Sequence, residues 1–182
     1  MVVALGLALA LGAATTGEGR SAVAGCDGFP RTPGQIGGVH YRPSPLRRNV
    51  VFSGLVGERL TLQGLVLDAS CAPVNRARID FWQANASGHY DDTGTRLRSH
   101  QFTDRRGRYL LETILPGPYP GRTRHIHVKV RAPGGPTLTT ELYFPGASFN
   151  DRDPYFDRRL LVRLSEAHHR LVARFDFVVS VH

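Results

Sequence analysis

The chain has 182 residues, the size of one ordinary domain plus a tail, and at 41% hydrophobic it can bury a core without a covalent staple. Gly (20) and Pro (12) are frequent, which suits short strands joined by turns and argues against long helices. The net charge is +8, yet Lys129 is the only lysine and basic clusters stop at the pairs Arg47-Arg48, Arg105-Arg106 and Arg158-Arg159, so no nucleic-acid partner is expected.

In chain order, Val2 to Ala14 is apolar, too short to span a membrane and suited to the core of an export signal, with Ala22-Val23-Ala24 as a cleavage pattern. Residues 1–24 are expected to be an export segment, making the protein secreted or cell-envelope with no membrane span. Val23-Ala24-Gly25-Cys26 also reads as a lipoprotein box, which would place a lipid anchor on Cys26; the alternative use of Cys26 is a disulfide with Cys71. Residues 25–57, rich in Pro, Gly and Arg and without strand or helix period, read as an extended arm, leaving 58–182 as a single domain.

Strand patterns then follow: Leu60, Leu62 and Leu65 to Leu67; Arg78 to Trp82, with Ile79 and Phe81 on one face; and Arg108 to Ile114. Asn85 to Leu97 is a polar loop, and Pro116-Gly117-Pro118-Tyr119-Pro120-Gly121 excludes regular structure. His125 to Val130 places His125, His127 and Lys129 on one face and Ile126, Val128 and Val130 on the other. Leu138 to Phe144 is a further strand, Arg158 to His169 has a helical or mixed signal, and Leu171 to Val181 closes the chain as a strand. Short strands at regular spacing predict an all-β fold, an antiparallel β-sandwich.

His125-Ile126-His127 is the sharpest chemical feature. Two imidazoles on one strand face are either an exposed polar stripe or half of a metal site. Tyr119, six residues before His125, and Tyr90, in the earlier loop, are either half-buried aromatics or further ligands. A phenol deprotonates near pH 10, so a tyrosine ligand requires a hard, highly charged ion, and two phenolates with two imidazoles suit iron(III).

These residues resemble the intradiol ring-cleavage dioxygenases, which include the catechol 1,2-dioxygenases and protocatechuate 3,4-dioxygenases. The resemblance rests on Trp82-Gln83-Ala84-Asn85-Ala86-Ser87-Gly88-His89-Tyr90, Thr103-Asp104-Arg105-Arg106-Gly107-Arg108-Tyr109, Pro116-Gly117-Pro118-Tyr119 and Arg122-Thr123-Arg124-His125-Ile126-His127, and runs from about Thr32 to Val179. It implies a catalytic domain that binds Fe(3+) through Tyr90, Tyr119, His125 and His127. It further implies that Tyr119 releases the metal when a catechol chelates it, and that Arg122 steadies charge on the bound ring. The implied reaction opens the ring of a small-molecule catechol with O2, between the two hydroxyl carbons, to a muconate-type diacid. Glu141 stands where the family has Gln and adds negative charge beside two phenolates; Thr32 to Tyr41 keeps only part of the family's pocket-lining segment. Arg122, Glu141 and Tyr41 are the residues expected on the substrate side. Two other readings compete: a non-catalytic transthyretin-like binding module, and an H-x-H zinc or copper protein. Colour separates them, because tyrosinate-to-iron(III) charge transfer is red to burgundy.

Overall fold

The computed structural model describes residues 30–44, 47, 49–168 and 170–182. The expected export segment and Cys26 lie outside the described residues; Cys71 is disulfide-bonded. Among the described residues, no helix is long and apolar enough to cross a membrane.

Among the described residues nine strands form two sheets: β1 Arg59–Leu67, β2 Arg78–Trp82, β3 Arg98–Phe102, β4 Arg108–Ile114, β5 His125–Arg131, β6 Thr137–Tyr143, β7 Arg163–Ala167, β8 Arg170–Arg174 and β9 Phe177–Val178. One sheet runs β3-β2-β5-β6, antiparallel throughout. The other runs β4-β1-β8-β7, with β9 also pairing β1. In it β1 pairs antiparallel with β4 but parallel with β8 and β9, so the sandwich is antiparallel-rich. Alternation fills the space between the sheets: Leu60, Leu62 and Ala173 from one side meet Ile79, Ile126 and Val128 from the other, all at most 1% exposed.

Three local readings change. Arg98–Phe102 carries no apolar period yet forms β3, because the side chains it buries, Arg98, Ser99 and Gln101, are polar. The stretch with a helical or mixed signal divides into a short 3-10 turn, Arg158–Leu160, and β7, an edge strand exposed at four of its five positions. The closing strand breaks in two at Asp176, whose carboxylate accepts the Leu65 N–H at 2.9 Å and so replaces a strand partner. Gly64 faces that break. A Cβ there would lie 1.8 Å from the Phe175 carbonyl oxygen, so only glycine lets the two segments cross.

The described part of the arm is laid over the sandwich by specific bonds. Thr32 N–H donates to Val178 O at 3.1 Å, Gln35 N–H to Thr139 O at 2.8 Å, and Val51 N–H to Glu112 O at 2.9 Å. This route carries Gly37 to Tyr41 across the outer face of β5, where the two histidines project.

Candidate metal centre

On β5 the core face is Ile126, Val128 and Val130, so His125 and His127 point out of the sandwich. They are nevertheless 2% and 0% exposed, because loops cover that face. Sheet register supplies their neighbours. Trp82 on β2 and Glu141 on β6 lie directly opposite His127, on either side of it, and Tyr143 lies opposite His125. The Trp82 indole stacks on the His127 ring with centroids 4.8 Å apart and planes 2° from parallel.

Two loops bring the tyrosines. Asn85 Oδ1 accepts from the N–H groups of Ser87 and His89, and Asn85 O from those of Gly88 and Gly117, which turns the first loop and ties it to the second. Gly88 has φ +81° and a Cβ there would lie 2.2 Å from Pro118 O; a Cβ on Gly117 would lie 2.3 Å from Ala86 O. The loops interlock only because both positions lack side chains. The result sets the Tyr90 and Tyr119 rings 5.6 Å apart, edge to face.

All four predicted ligands converge. His125 Nε2 is 3.1 Å from His127 Nε2 and 3.5 Å from Tyr90 Oη, and the Tyr119 and His125 ring centroids are 5.5 Å apart. His125 Nδ1 donates to Thr123 O at 2.7 Å, which leaves its Nε2 as a lone pair. Burial holds both imidazoles below their ordinary range, His127 furthest, with His125 beside it as a further cause. Both are therefore neutral near pH 7. Burial raises Tyr90, helped by Tyr119, and raises Tyr119 despite Arg122. Two neutral imidazoles whose Nε2 atoms lie 3.1 Å apart, beside two phenols, gather four groups that can each give an electron pair to a cation. The donor set therefore fits a hard, highly charged metal ion. Distance alone also allows a His125, His127 and Glu141 set, whose ligand atoms lie within 4.8 Å of one another. Glu141, however, approaches His127 from its other nitrogen, with Oε1 3.2 Å from Nδ1. It stands behind the ring rather than beside the two Nε2 atoms.

Arg122 does not present a free guanidinium. Its Nε donates to both oxygens of Asp153 at 3.0 and 3.1 Å, Nη1 to Tyr119 Oη at 3.2 Å, and Nη2 to Glu141 Oε2. Burial alone would lower its pKa, but the charges of Glu141 and Tyr119 outweigh this and push it up. Glu141 is 0% exposed, and its Oε2 also accepts from Tyr143 Oη at 2.6 Å. That corrects the expectation of a substrate contact: a carboxylate enclosed by Arg122, Tyr143 and His127 has no open side for a ligand. Tyr41 packs edge-on to Trp82 with Lys129 Nζ 3.4 Å above its ring, and reaches the cluster only through the indole.

Sequence reasoning passed over several participants. His40 stacks on Tyr90 at 4.0 Å with planes 2° apart, and its Nδ1 meets Asp92 at 2.9 Å. Asp153 secures Arg122 and also accepts the Thr123 N–H at 2.8 Å. Nothing in the spacing of His40, Asp92 and Asp153 marks them, because each joins the site through folding of distant segments. A cavity of about 340 Å³ opens beside Tyr119 and Arg122, walled by Pro118, Arg124, Ser148 and Phe149.

Comparison with known proteins agrees with this geometry. Residues 46–182 match the model of the Dioxygenase family. The chain is 35% identical to the protocatechuate 3,4-dioxygenase beta chain of Burkholderia cepacia, with 74% of this chain and 70% of that protein covered. It is 33% identical to the hydroxyquinol 1,2-dioxygenase of Nocardioides simplex, but there the match spans 58% of this chain and only 44% of the relative's length. Among solved structures, the dioxygenase domain of a dioxygenase carbohydrate-binding protein fusion from Streptomyces sp. SirexAA-E superposes with a TM-score of 0.81 at 45% identity, over 84% of this chain and 100% of that one. With its interlocked tyrosine loops set over a buried histidine pair, the chain belongs to the intradiol ring-cleavage dioxygenases, a family of oxidoreductases.

Proposed function

We propose that the protein is an Fe(III)-dependent intradiol dioxygenase, with Tyr90, Tyr119, His125 and His127 as its ligands and a catechol-type molecule and O2 as its substrates. The observation that carries this reading is the convergence of two neutral imidazoles, their Nε2 atoms 3.1 Å apart, with two phenols. Bound ferric iron, held by these four residues, would supply Lewis acidity to a catecholate, and the overall reaction would add O2 to the ring and open it between the oxygenated carbons to a muconate-type diacid.

The chain's own residues do the rest. Thr123 O fixes the tautomer of His125, and Trp82 holds the His127 ring flat. Of the two tyrosines, Tyr119 is the one suited to leave. It rides on the Pro/Gly loop at the edge of the cavity, and its oxygen already accepts a hydrogen bond from Arg122. A catechol must shed protons to bind as a dianion, and Tyr119 Oη is the atom placed to receive one while Arg122 steadies the charge. The cavity beside Tyr119, about 340 Å³, has room for a single aromatic ring.

The test is direct. Protein expressed in iron-replete medium is expected to carry one iron per chain, to be red to burgundy, and to convert catechol to a ring-opened diacid with uptake of O2. Colourless protein with stoichiometric zinc overturns the assignment.

A further inference from the structure

Arg98 is a buried cation that the metal centre leaves without a role. Sheet register places it. Trp82 stands opposite Arg98 on one side and His127 on the other, and His127 stands opposite Glu141. Arg98, Trp82, His127 and Glu141 thus form one row across the sheet, each at most 2% exposed. Trp82 and Glu141 flank the histidine, and Arg98 stands one strand further out, on the edge strand β3.

From that edge the guanidinium holds two segments at once. Nη1 donates to His40 O, in the arm, at 2.7 Å. Nε and Nη2 donate to Asp91 O, one residue after Tyr90, at 3.1 and 2.9 Å. Asp92 adds a second link between the same segments. Its carboxylate meets His40 Nδ1 at 2.9 and 3.1 Å and lies 3.6 Å from Arg98 Nη2. Beside these links the His40 ring lies flat on Tyr90, with centroids 4.0 Å apart. The Asp91 carboxylate accepts the N–H groups of Gly94 and Arg96 at 2.8 and 3.0 Å, which bends the loop back toward β3.

A buried guanidinium is costly unless its N–H groups are bonded, and here the acceptors come from two separate segments. If the arm lifts, Nη1 loses the His40 carbonyl. If the loop moves, Nε and Nη2 lose the Asp91 carbonyl. Neither segment can leave without stranding part of a buried cation, so the arm and the loop dock together. The planar fork suits this task, because one rigid group reaches both carbonyls.

We infer that Arg98 is a positioning residue of the metal centre: by bonding His40 O and Asp91 O it latches the arm over the Tyr90 loop and fixes the Tyr90 phenol where the metal needs it. The inference rests on the reading of Tyr90 as a metal ligand. Metal binding and arm docking must then reinforce each other, since coupling between two equilibria is reciprocal.

The experiment titrates the full chain, free of metal, with gallium(III) supplied as its nitrilotriacetate complex. Each tyrosine that coordinates gallium ionises, and ultraviolet difference absorption counts the phenolates, with Tyr90→Phe giving the amplitude of Tyr119 alone. Wild type is expected to form both phenolates. Arg98→Met is expected to bind gallium roughly 10–100-fold more weakly and to form the Tyr119 phenolate alone. Arg96→Met, which removes an exposed cation from the same loop, should match wild type. In wild type, gallium should also slow hydrogen exchange over residues 37–44 by roughly tenfold or more relative to β8, and in Tyr90→Phe it should not. A folded Arg98→Met with both phenolates and unchanged affinity overturns the inference. So does a wild-type arm whose exchange gallium leaves unaltered, a result that does not depend on the Met variant folding. Gallium bound to wild type without any phenolate overturns the proposed ligand set and this inference together. Both phenolates and a slowed arm, in a protein that fails to open catechol when loaded with iron, would sink the proposed function and leave the latch standing.

Discussion

Arg122 sits between Glu141 and Asp153, two carboxylates whose side chains are 0% exposed. Arg122→Ala therefore does more than remove a charge from the substrate side. It leaves two buried anions without their cation, a change of about 3–5 kcal/mol in folding stability. Urea denaturation should show this as a lower midpoint at unchanged slope, and a midpoint within error of wild type would contradict the ion-pair geometry. Arg122→Lys keeps the charge but loses the fork that serves Asp153, Tyr119 and Glu141 together. It should remain folded and lose turnover by about 2–4 kcal/mol in barrier. The tyrosines divide in the same way. Tyr90→Phe should abolish metal binding and colour. Tyr109→Phe should keep both and lose about 1–3 kcal/mol of stability, because the Tyr109 hydroxyl donates at 2.8 Å to Phe175 O, in the break between β8 and β9. Equal loss of colour in both variants would mean that the effect at Tyr90 is one of folding.

The interlock of the tyrosine loops belongs to the element scale. At Gly88 an added Cβ meets Pro118 O at 2.2 Å and the backbone has φ +81°. Gly88→Ala should push the loops apart and separate Tyr90 from Tyr119, at a cost of about 1–3 kcal/mol. The expected result is lost metal affinity with the β-sheet circular dichroism retained. Gly121→Ala is the control: φ is similar, at +79°, but nothing lies within 4 Å. If Gly121→Ala loses metal as fully as Gly88→Ala, strain in the backbone rather than loop contact controls the site. The strands differ in how openly the sequence announces them. β5 alternates His and Lys against Ile and Val and is plain. β3 buries polar side chains and β7 is an edge strand exposed at four of five positions, so the apolar period-two signal that marks a strand is absent from both.

For the molecule as a whole, burying two neutral imidazoles couples stability to pH. His125 and His127 are held below their ordinary pKa, chiefly by burial. In the unfolded chain they take up protons below about pH 6.5, while in the folded protein they resist until lower pH. The unfolded state thus binds more protons in that window. The stability they leave in place at pH 7.5 is lost as pH falls through about 6.5 toward the folded values. Denaturant midpoints of metal-free protein should fall between pH 7.5 and 5.5, and His127→Gln should flatten the decline. A His127→Gln profile that falls as steeply as wild type would show that other groups carry the acid sensitivity.

What the sequence determined by itself was local. Period-two patterns predicted most strands, Pro and Gly excluded structure where the tyrosine loops run, and the order of two tyrosines before His-x-His named the residues that meet. Each of these is encoded within a few neighbouring residues. Tertiary structure decided the rest. It placed Glu141 opposite His127, stacked His40 on Tyr90 and brought Asp153 to Arg122. These contacts join segments far apart in the chain. Sheet register and loop docking specify them through burial summed over the whole sandwich, so no short stretch of sequence carries them. That is why Glu141, read alone, looked like a charge facing the substrate, and in the folded protein is enclosed behind a histidine.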